Sequence, residues 1–491
     1  MPAGLPVYPE PIRTMGLAES VRRHVTLRGD SQGWTDEQMV FSVIVPNPAG
    51  GELVDDLGIL DGDEGLCRLM RRVEAHGMSR QARRAQKRRW RKKRERTFPS
   101  PSATFRYLMG FHDREQEKLR QPGKAFIPVP NEHLRGLAEV NGDLMAFVQS
   151  RRPERTATLD MDATLVETSK AEALYCYKKF KAYQPLNTYW AEQELVLHSE
   201  FRDGNVPAGY EQRRVLAEAL ELLPEGVEKV CLRSDTAGYE WRLLKYCAEG
   251  RNERFGVIEF AVGVDVTAEF RKAVVEVEEK QWRPLRKEVG GELVETGQQW
   301  AEVCFVPNEV GRSEKGPEYR FLAIREPLKQ LELAGIGEQQ SLPFPTVSFS
   351  ERGRYKLSGI VTNRDIDGEE LIRWYGQRCG KSEQVHAVMK EDLAGGKLPT
   401  GNFGANAAWW WMMVLALNLN VAMKRLVLGK VDKGWESKRM KAVRFGFINL
   451  PARVLEHSRR LILRLSKGHP GFELLVKVRG RILMLRPEPG G

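Results

Sequence analysis

Closely spaced cysteines, an apolar stretch among the first residues and a bilayer-length apolar run are all lacking in this sequence, and each absence argues against a class of protein. Its 491 residues include six cysteines, Cys67, Cys176, Cys231, Cys247, Cys304 and Cys379, scattered without a CxxC pair, and the eight histidines do not cluster with them. Neither a disulfide framework nor a zinc site is implied. The first residues, MPAGLPVYPEPIRTMG, carry prolines and no apolar h-region, so no secretory signal is expected. The longest apolar run, Ala407 to Leu417, ends at Asn418 after eleven residues, short of a membrane span. Its Trp409, Trp410 and Trp411 point in three directions on a helix, which suits core packing better than stacking on bases. A soluble, cytoplasmic protein without a membrane partner is expected.

Acidic residues are almost absent from one stretch. Between Arg80 and Arg96 stand eleven Lys/Arg and one Glu, a balance of +10 against +11 for the whole chain, so the remainder is nearly neutral. Such concentration points to a polyanion. The run has no Gly or Pro, and as a helix it sets Arg80, Arg83, Arg84, Lys87, Arg88 and Arg91 in one stripe, with Lys92 beside it. Contacts of this kind hold phosphates without choosing sequence. A disordered basic tail or a localisation-type signal is the competing reading.

Three acidic segments carry chemistry. In Thr158-Leu159-Asp160-Met161-Asp162-Ala163-Thr164-Leu165 polar and apolar residues alternate, as in a strand with one buried face. Asp160 and Asp162 then project together, a repulsion that a divalent cation removes; an exposed edge strand bearing acids is the plainer alternative. In VEKVCLRSDTAGYE, Val227 to Glu240, an apolar run ends at Asp235 before a turn and a helix. That is where ligands gather in open α/β sheets, though Asp235 also suits a helix N-cap. In YGQRCGKSEQVHAVMK, Tyr375 to Lys390, a helical period sets Glu383, His386 and Lys390 on one face. A solvated charged face is the bland alternative. Taken together, three carboxylates from distant places make the pattern of a two-metal phosphoryl-transfer site.

The ordered set LDMDAT, FRDGNVPAG, LRSDTAGYE and WYGQRCGKSEQVHAVMKEDL, with FPSPSAT upstream, resembles the DDE transposases of bacterial insertion sequences. Within them it is similar to the branch with a Tyr-Arg-Glu-Lys signature and to the insertion-sequence 1380 family, from about residue 33 to about 425. The resemblance implies that Asp162, Asp235 and Glu383 are catalytic and bind two Mg²⁺ ions, with Mn²⁺ as a substitute, and Asp162 is preferred to Asp160 because Ala163 and Thr164 match the first-acid context. Asp160, Tyr375, Arg378 and Lys390 become accessory residues. The implied activity is strand cleavage and strand transfer on double-stranded DNA, at terminal inverted repeats and a target, by a dimer on DNA. A repurposed DNA-binding protein without catalysis and a nuclease that cuts without joining are the alternatives. One departure stands out: four residues, Cys379 to Ser382, separate Arg378 from Glu383 where the signature has three. In a continuous helix the extra residue turns Arg378 by ~100° relative to Glu383, unless Gly380 opens a break.

The expected fold is α/β, a ribonuclease-H-like mixed-sheet core with a β-rich insertion before the third acid, flanked by helical N- and C-terminal regions. Strands are expected at 156–168, in a hairpin at about 184–202, up to Asp235 and at about 255–266, with helices at about 210–223 and 239–249. The 147 residues between Asp235 and Glu383 exceed any crossover and predict a separate β insertion at about 282–350. The domains read as 1–78 helical, 79–155 basic region and linker, 156–405 catalytic core, and 406–491 helical, with Arg453, Arg459, Arg460 and Arg464 at helix-like spacings.

Overall fold

A computed structural model describes residues 1–485 apart from Asp30, Gly77, 308–318, 329–343, 350–352 and Arg459. Up to Arg151 the described chain is helical, ending in a helix from Glu132 to Arg151. The strands then run β1 (Thr156–Ala163), β2 (Val166–Glu167), β3 (Ala182–Tyr183), β4 (Leu186–Trp190), β5 (Leu195–Glu200), β6 (Lys229–Ser234), β7 (Glu259–Val264), β8 (Arg283–Val289), β9 (Glu292–Val303), β10 (Arg320–Pro327), β11 (Thr346–Phe349) and β12 (Gly353–Thr362). Ten of these make one mixed sheet in the order β5-β4-β1-β6-β7-β12-β10-β9-β8, with β11 on β12. Among the described residues only β1/β6 and β6/β7 pair in parallel. The helices Gln212–Glu221 and Trp241–Ala248 connect the central strands.

Two sequence expectations change here. The alternation in LDMDAT predicts one buried face for β1, yet Thr158 and Asp160 are as buried as Leu159 and Met161. Both faces of the central strand are covered, as is usual where parallel pairs form the middle of a sheet. β12, beyond the limits of the expected insertion, pairs with β7 as part of the core, and the strands within those limits continue the same sheet: β10 pairs with β12, β9 with β10 and β8 with β9. An edge strand at β7 would otherwise leave unpaired backbone groups, and the added hairpins satisfy them. Residues 308–318, 329–343 and 350 of that expected insertion lie outside the described residues.

The C-terminal region is not wholly helical. A helix from Phe403 to Met423 continues through a π-turn at Lys424–Leu428 to Val431, followed by a hairpin of β13 (Arg453–His457) and β14 (Arg460–Arg464) and a helix from Gly471 to Met484. Arg453, Arg460 and Arg464 are therefore strand residues; Arg459 lies outside the described residues. The Phe403–Val431 helix is longer than its apolar run, long and apolar enough to cross a bilayer, but most of it is buried inside the fold. Its polar interruptions have partners: Asn418 Nδ2 donates to Asn141 Oδ1 at 2.7 Å and to Val196 O at 2.8 Å, and Asn420 Oδ1 accepts from Tyr8 Oη at 2.6 Å. Buried amides so satisfied cost little, so the helix does not stop at Asn418. The helix packs on β5 and on the Glu132–Arg151 helix, forming one core with the N-terminal helices.

Candidate active site

Register brings the first two acids together. In the parallel β1/β6 ladder Asp160 stands opposite Arg233 and Met161 opposite Ser234; one step further sets Asp162 against Asp235, just past the end of β6. On its other side Asp162 is opposite Asn187 of β4. Asp235 also caps the short 3₁₀ turn Thr236–Gly238, accepting from Ala237 N at 3.0 Å. Asp235 thus takes the N-cap role while standing beside Asp162. Burial first, then the Asp235 charge and more weakly that of Glu383, push the Asp162 carboxyl up to about 6, against the lowering effect of Arg378.

Asp160 has a different role from its neighbour. Both its oxygens accept from Arg233, Nε at 2.6 Å and Nη2 at 2.8 Å, and both side chains are almost fully buried. Arg233 Nη1 also donates to Trp374 O at 2.7 Å. An arginine, rather than a divalent metal ion, resolves the repulsion expected between Asp160 and Asp162, and the pair ties β1 and β6 to the segment carrying Tyr375. Arg233 has no sequence signature; a charged residue inside an apolar strand is its only mark.

The helix around the third acid is broken. One helix runs Gly368–Gly376 and the next Lys381–Ala387, joined through Gly380 at φ 85°, and the second passes into a π-turn at Val388–Asp392. Left-handed backbone of this kind suits glycine. The break absorbs the additional residue of the signature. Arg378 Nη1 lies 4.0 Å from Asp162 Oδ2, with the guanidinium over the Tyr375 ring at 5.6 Å. The Tyr375 hydroxyl lies over Gly263: a Cβ there would meet it at 3.0 Å and Thr236 N at 3.1 Å. Glycine at 263 is what allows this approach.

His386 Nδ1 lies 3.8 Å from Asp162 Oδ2, and its Nε2 is 3.1 Å from Asn187 Nδ2. Asn187 Oδ1 accepts from Ser199 Oγ at 2.6 Å, and Ser199 Oγ accepts from Trp410 Nε1 at 2.8 Å. With Trp410 able only to donate, the chain has one direction: Asn187 donates to Nε2, which leaves the ring proton on Nδ1, facing Asp162. Burial, and then Lys390, lower the His386 pKa well below its usual value, so the ring is neutral. Asn187 and Ser199 belong to no motif that the sequence displays; a polar asparagine inside the strand-like LNTYW is the one signal that points to them. Lys390 Nζ donates to Leu165 O at 3.3 Å, close to where β1 ends.

Not all predicted site residues gather here. Arg80, Arg83, Arg84, Lys87 and Arg88 lie on an exposed helix, Arg80–Arg88, in the N-terminal part. The helix ends there, so Arg91 and Lys92 follow it as exposed loop residues, Arg91 Nε donating to Gln32 Oε1 at 2.7 Å. Arg94 is neutralised by Glu74, 2.6 Å away.

The family described as Transposase DDE domain group 1 matches residues 62–487. This chain belongs to that family of DDE transposases. No curated protein matches it. Among solved structures it is similar to the piggyBac transposase synaptic complex with hairpin DNA, at a TM-score of 0.47 and 11% identity over 89% of this chain and 78% of that one.

Proposed function

We propose that this protein is the transposase of a bacterial insertion sequence, of the Tyr-Arg-Glu-Lys branch and close to the insertion-sequence 1380 family, working from a ribonuclease-H-like core. The observation that carries this is the placement of Asp162 and Asp235 at the shared end of two parallel strands, where the Asp235 charge and, more weakly, that of Glu383 raise the cost of ionising Asp162. Among the described residues no three His, Cys, Asp or Glu side chains close into a ready-made metal group. The donor set nevertheless suits a hard divalent cation: oxygen ligands only, and a half-buried excess of negative charge that ordinary basic neighbours leave incompletely neutralised. Asp162, Asp235 and Glu383 would hold Mg²⁺ or Mn²⁺, which supplies nucleophile activation and charge stabilisation at the leaving oxygen.

The chain's own groups do the positioning. Arg378 and Lys390 hold phosphate oxygens on either side of the acids, and Tyr375 fixes Arg378 against the strand ends. His386 orients Asp162. The substrate is double-stranded DNA, first cleaved by water and then joined through its 3′ hydroxyl to a target, with terminal inverted repeats gripped partly by the exposed Arg80–Arg88 helix, Arg91 and Lys92. The enzyme acts as a dimer on DNA in the cytoplasm. Asp235→Asn should abolish Mg²⁺-dependent nicking of supercoiled DNA while leaving DNA binding intact; strand cleavage retained in that variant would sink the assignment. A strand-transfer assay on the element's own ends separates joining from cutting alone.

A further inference from the structure

Between β2 and β3 the chain makes an excursion whose tip is rich in lysine and tyrosine, and no catalytic role described above uses it. Its stem starts at Val166, four residues beyond Asp162, where β2 pairs with β3. The tip is a closed turn: Cys176 N donates to Phe180 O and Lys179 N to Cys176 O, both at 2.9 Å, and Tyr175 bridges to Lys181. Lys179 has φ 67°, the left-handed conformation that lets the tip reverse. Cys176 is buried and anchors the turn, while Tyr175 and Tyr177 remain 63% and 72% exposed.

Tyrosines that serve only as packing do not stand out in solvent on an anchored turn. Here each ring is held by a cation: Lys178 Nζ lies 5.7 Å from the Tyr177 centroid and Lys181 Nζ 5.9 Å from that of Tyr175. From Lys170 to Lys181 there are four lysines and one acid, Glu172, which packs against Gly401. The base of the excursion is fixed by Arg120 donating to Glu172 O at 3.1 Å and Lys170 Nζ to Pro399 O at 3.4 Å. Leu165, whose carbonyl takes the Lys390 ammonium, immediately precedes β2. The tip and the phosphate-holding lysine thus belong to one substructure.

We propose that residues Lys170–Lys181 form a binding site for an unpaired DNA strand leaving the active site, in which Tyr175 and Tyr177 stack on bases and Lys178 and Lys179 hold the adjoining phosphates. Aromatic rings alternating with cations recognise any exposed base, because every base presents a π-face, whereas a paired duplex hides those faces. The site rests on the DNA-transposase reading above. It adds a discrimination that the reading lacks: preference for DNA whose end is frayed or extended by unpaired nucleotides.

The test uses full-length protein with EDTA, so that no cleavage occurs, and two labelled duplexes that differ only in a short single-stranded extension. Wild-type protein should bind the extended duplex more tightly. Tyr175→Ala/Tyr177→Ala should lose about tenfold or more in affinity for the extended duplex, and under about twofold for the blunt one. Tyr175→Phe/Tyr177→Phe, which keeps the rings, should stay within about twofold of wild type on both. Equal loss on the two DNAs, no loss on either, or failure of the phenylalanine pair to retain binding overturns the site. Because the measurement needs no catalysis, selective loss in the alanine pair together with cleavage by Asp235→Asn would remove the catalytic reading and leave the strand site standing.

Discussion

His386 Nδ1 faces the Asp162 carboxylate at 3.8 Å, and the proton it carries is set from the far side, by Asn187 donating to Nε2. The orientation of a site carboxylate is thus decided by a directional series that begins at Trp410 in the buried C-terminal helix. Second partners of this kind set tautomer and orientation. Imidazole ¹⁵N shifts should show the Nδ1–H neutral tautomer for His386 at pH 7 in metal-free protein. Asn187→Ala should lose that signature and lower nicking by about ten- to a hundredfold. An Nε2–H tautomer in wild type would refute the series.

Asp162 carries a cost in stability. Its carboxyl is raised from 3.8 to about 6 by burial and by Asp235, and a group whose folded pKa is raised binds protons more tightly in the native state. Its contribution to stability is therefore greatest below about pH 4 and is lost as pH rises through about 6, a difference of about 3 kcal/mol at most. In EDTA at pH 7.5, Asp162→Asn should melt at a higher temperature than wild type, and the gap should close at pH 4. The same variant should not nick DNA. Equal melting temperatures at pH 7.5 would contradict the burial and repulsion assigned to this site.

Asp160 and Arg233 make the opposite forecast. Removing one member of a buried ion pair leaves an uncompensated charge and costs about 3–5 kcal/mol. Arg233→Met and Asp160→Leu should each be strongly destabilised in urea unfolding, and the double variant should recover most of the loss. If Asp160 were a metal ligand, the recovered double variant would be catalytically dead; nicking by that variant at a permissive temperature is the expected result.

Gly380 is where the two helices around the third acid part. An alanine there meets no neighbour within 4 Å, so any effect comes from its φ of 85° alone. Gly380→Ala should lower stability by about 1–2 kcal/mol. It should also slow nicking, by moving Arg378 away from Asp162, with little change in DNA affinity.

The exposed Arg80–Arg88 helix should act through charge. Replacing Arg80, Arg83, Arg84 and Lys87 by alanine should weaken binding to all DNA sequences alike. The slope of log K against log salt should become shallower by about 0.9 for each phosphate that is no longer neutralised. Arg94→Ala should leave that slope unchanged, since Arg94 is already paired with Glu74.

Local pattern makes much of the sheet legible. The hairpin at β4 and β5, the strand before Asp235 and the strand at 259–264 all announce themselves by short apolar runs between turn residues. Relations across the sheet do not. Asp160 and Asp162 are two residues apart on one strand and look alike in sequence, and only the facing strand distinguishes them, placing arginine opposite one and aspartate just beyond the other. The addition of β8 to β12 to the central sheet is likewise a pairing between segments far apart in sequence. The β13/β14 hairpin is hidden because its arginines recur at helical intervals. The finer alternation in Arg460-Leu461-Ile462-Leu463-Arg464 gives the strand away, since Leu461 and Leu463 turn inward and their neighbours outward. The break at Gly380 is legible as an option; its outcome depends on tertiary packing that brings Arg378 to Asp162.

The helix from Phe403 onward has a consequence for synthesis. Tyr8 donates to Asn420 across 412 residues of chain, and Met1 reaches Ala452. At about 5–20 residues per second, the N-terminal helices wait about 20–80 s for these partners to be made. Throughout that interval Tyr8, Val21 and Val40 have no completed core to enter, and the Trp410 end of the series that orients His386 does not yet exist. The nascent chain is thus a client for chaperones until its last quarter emerges, and a product truncated before Phe403 would lack both its core and its catalytic competence.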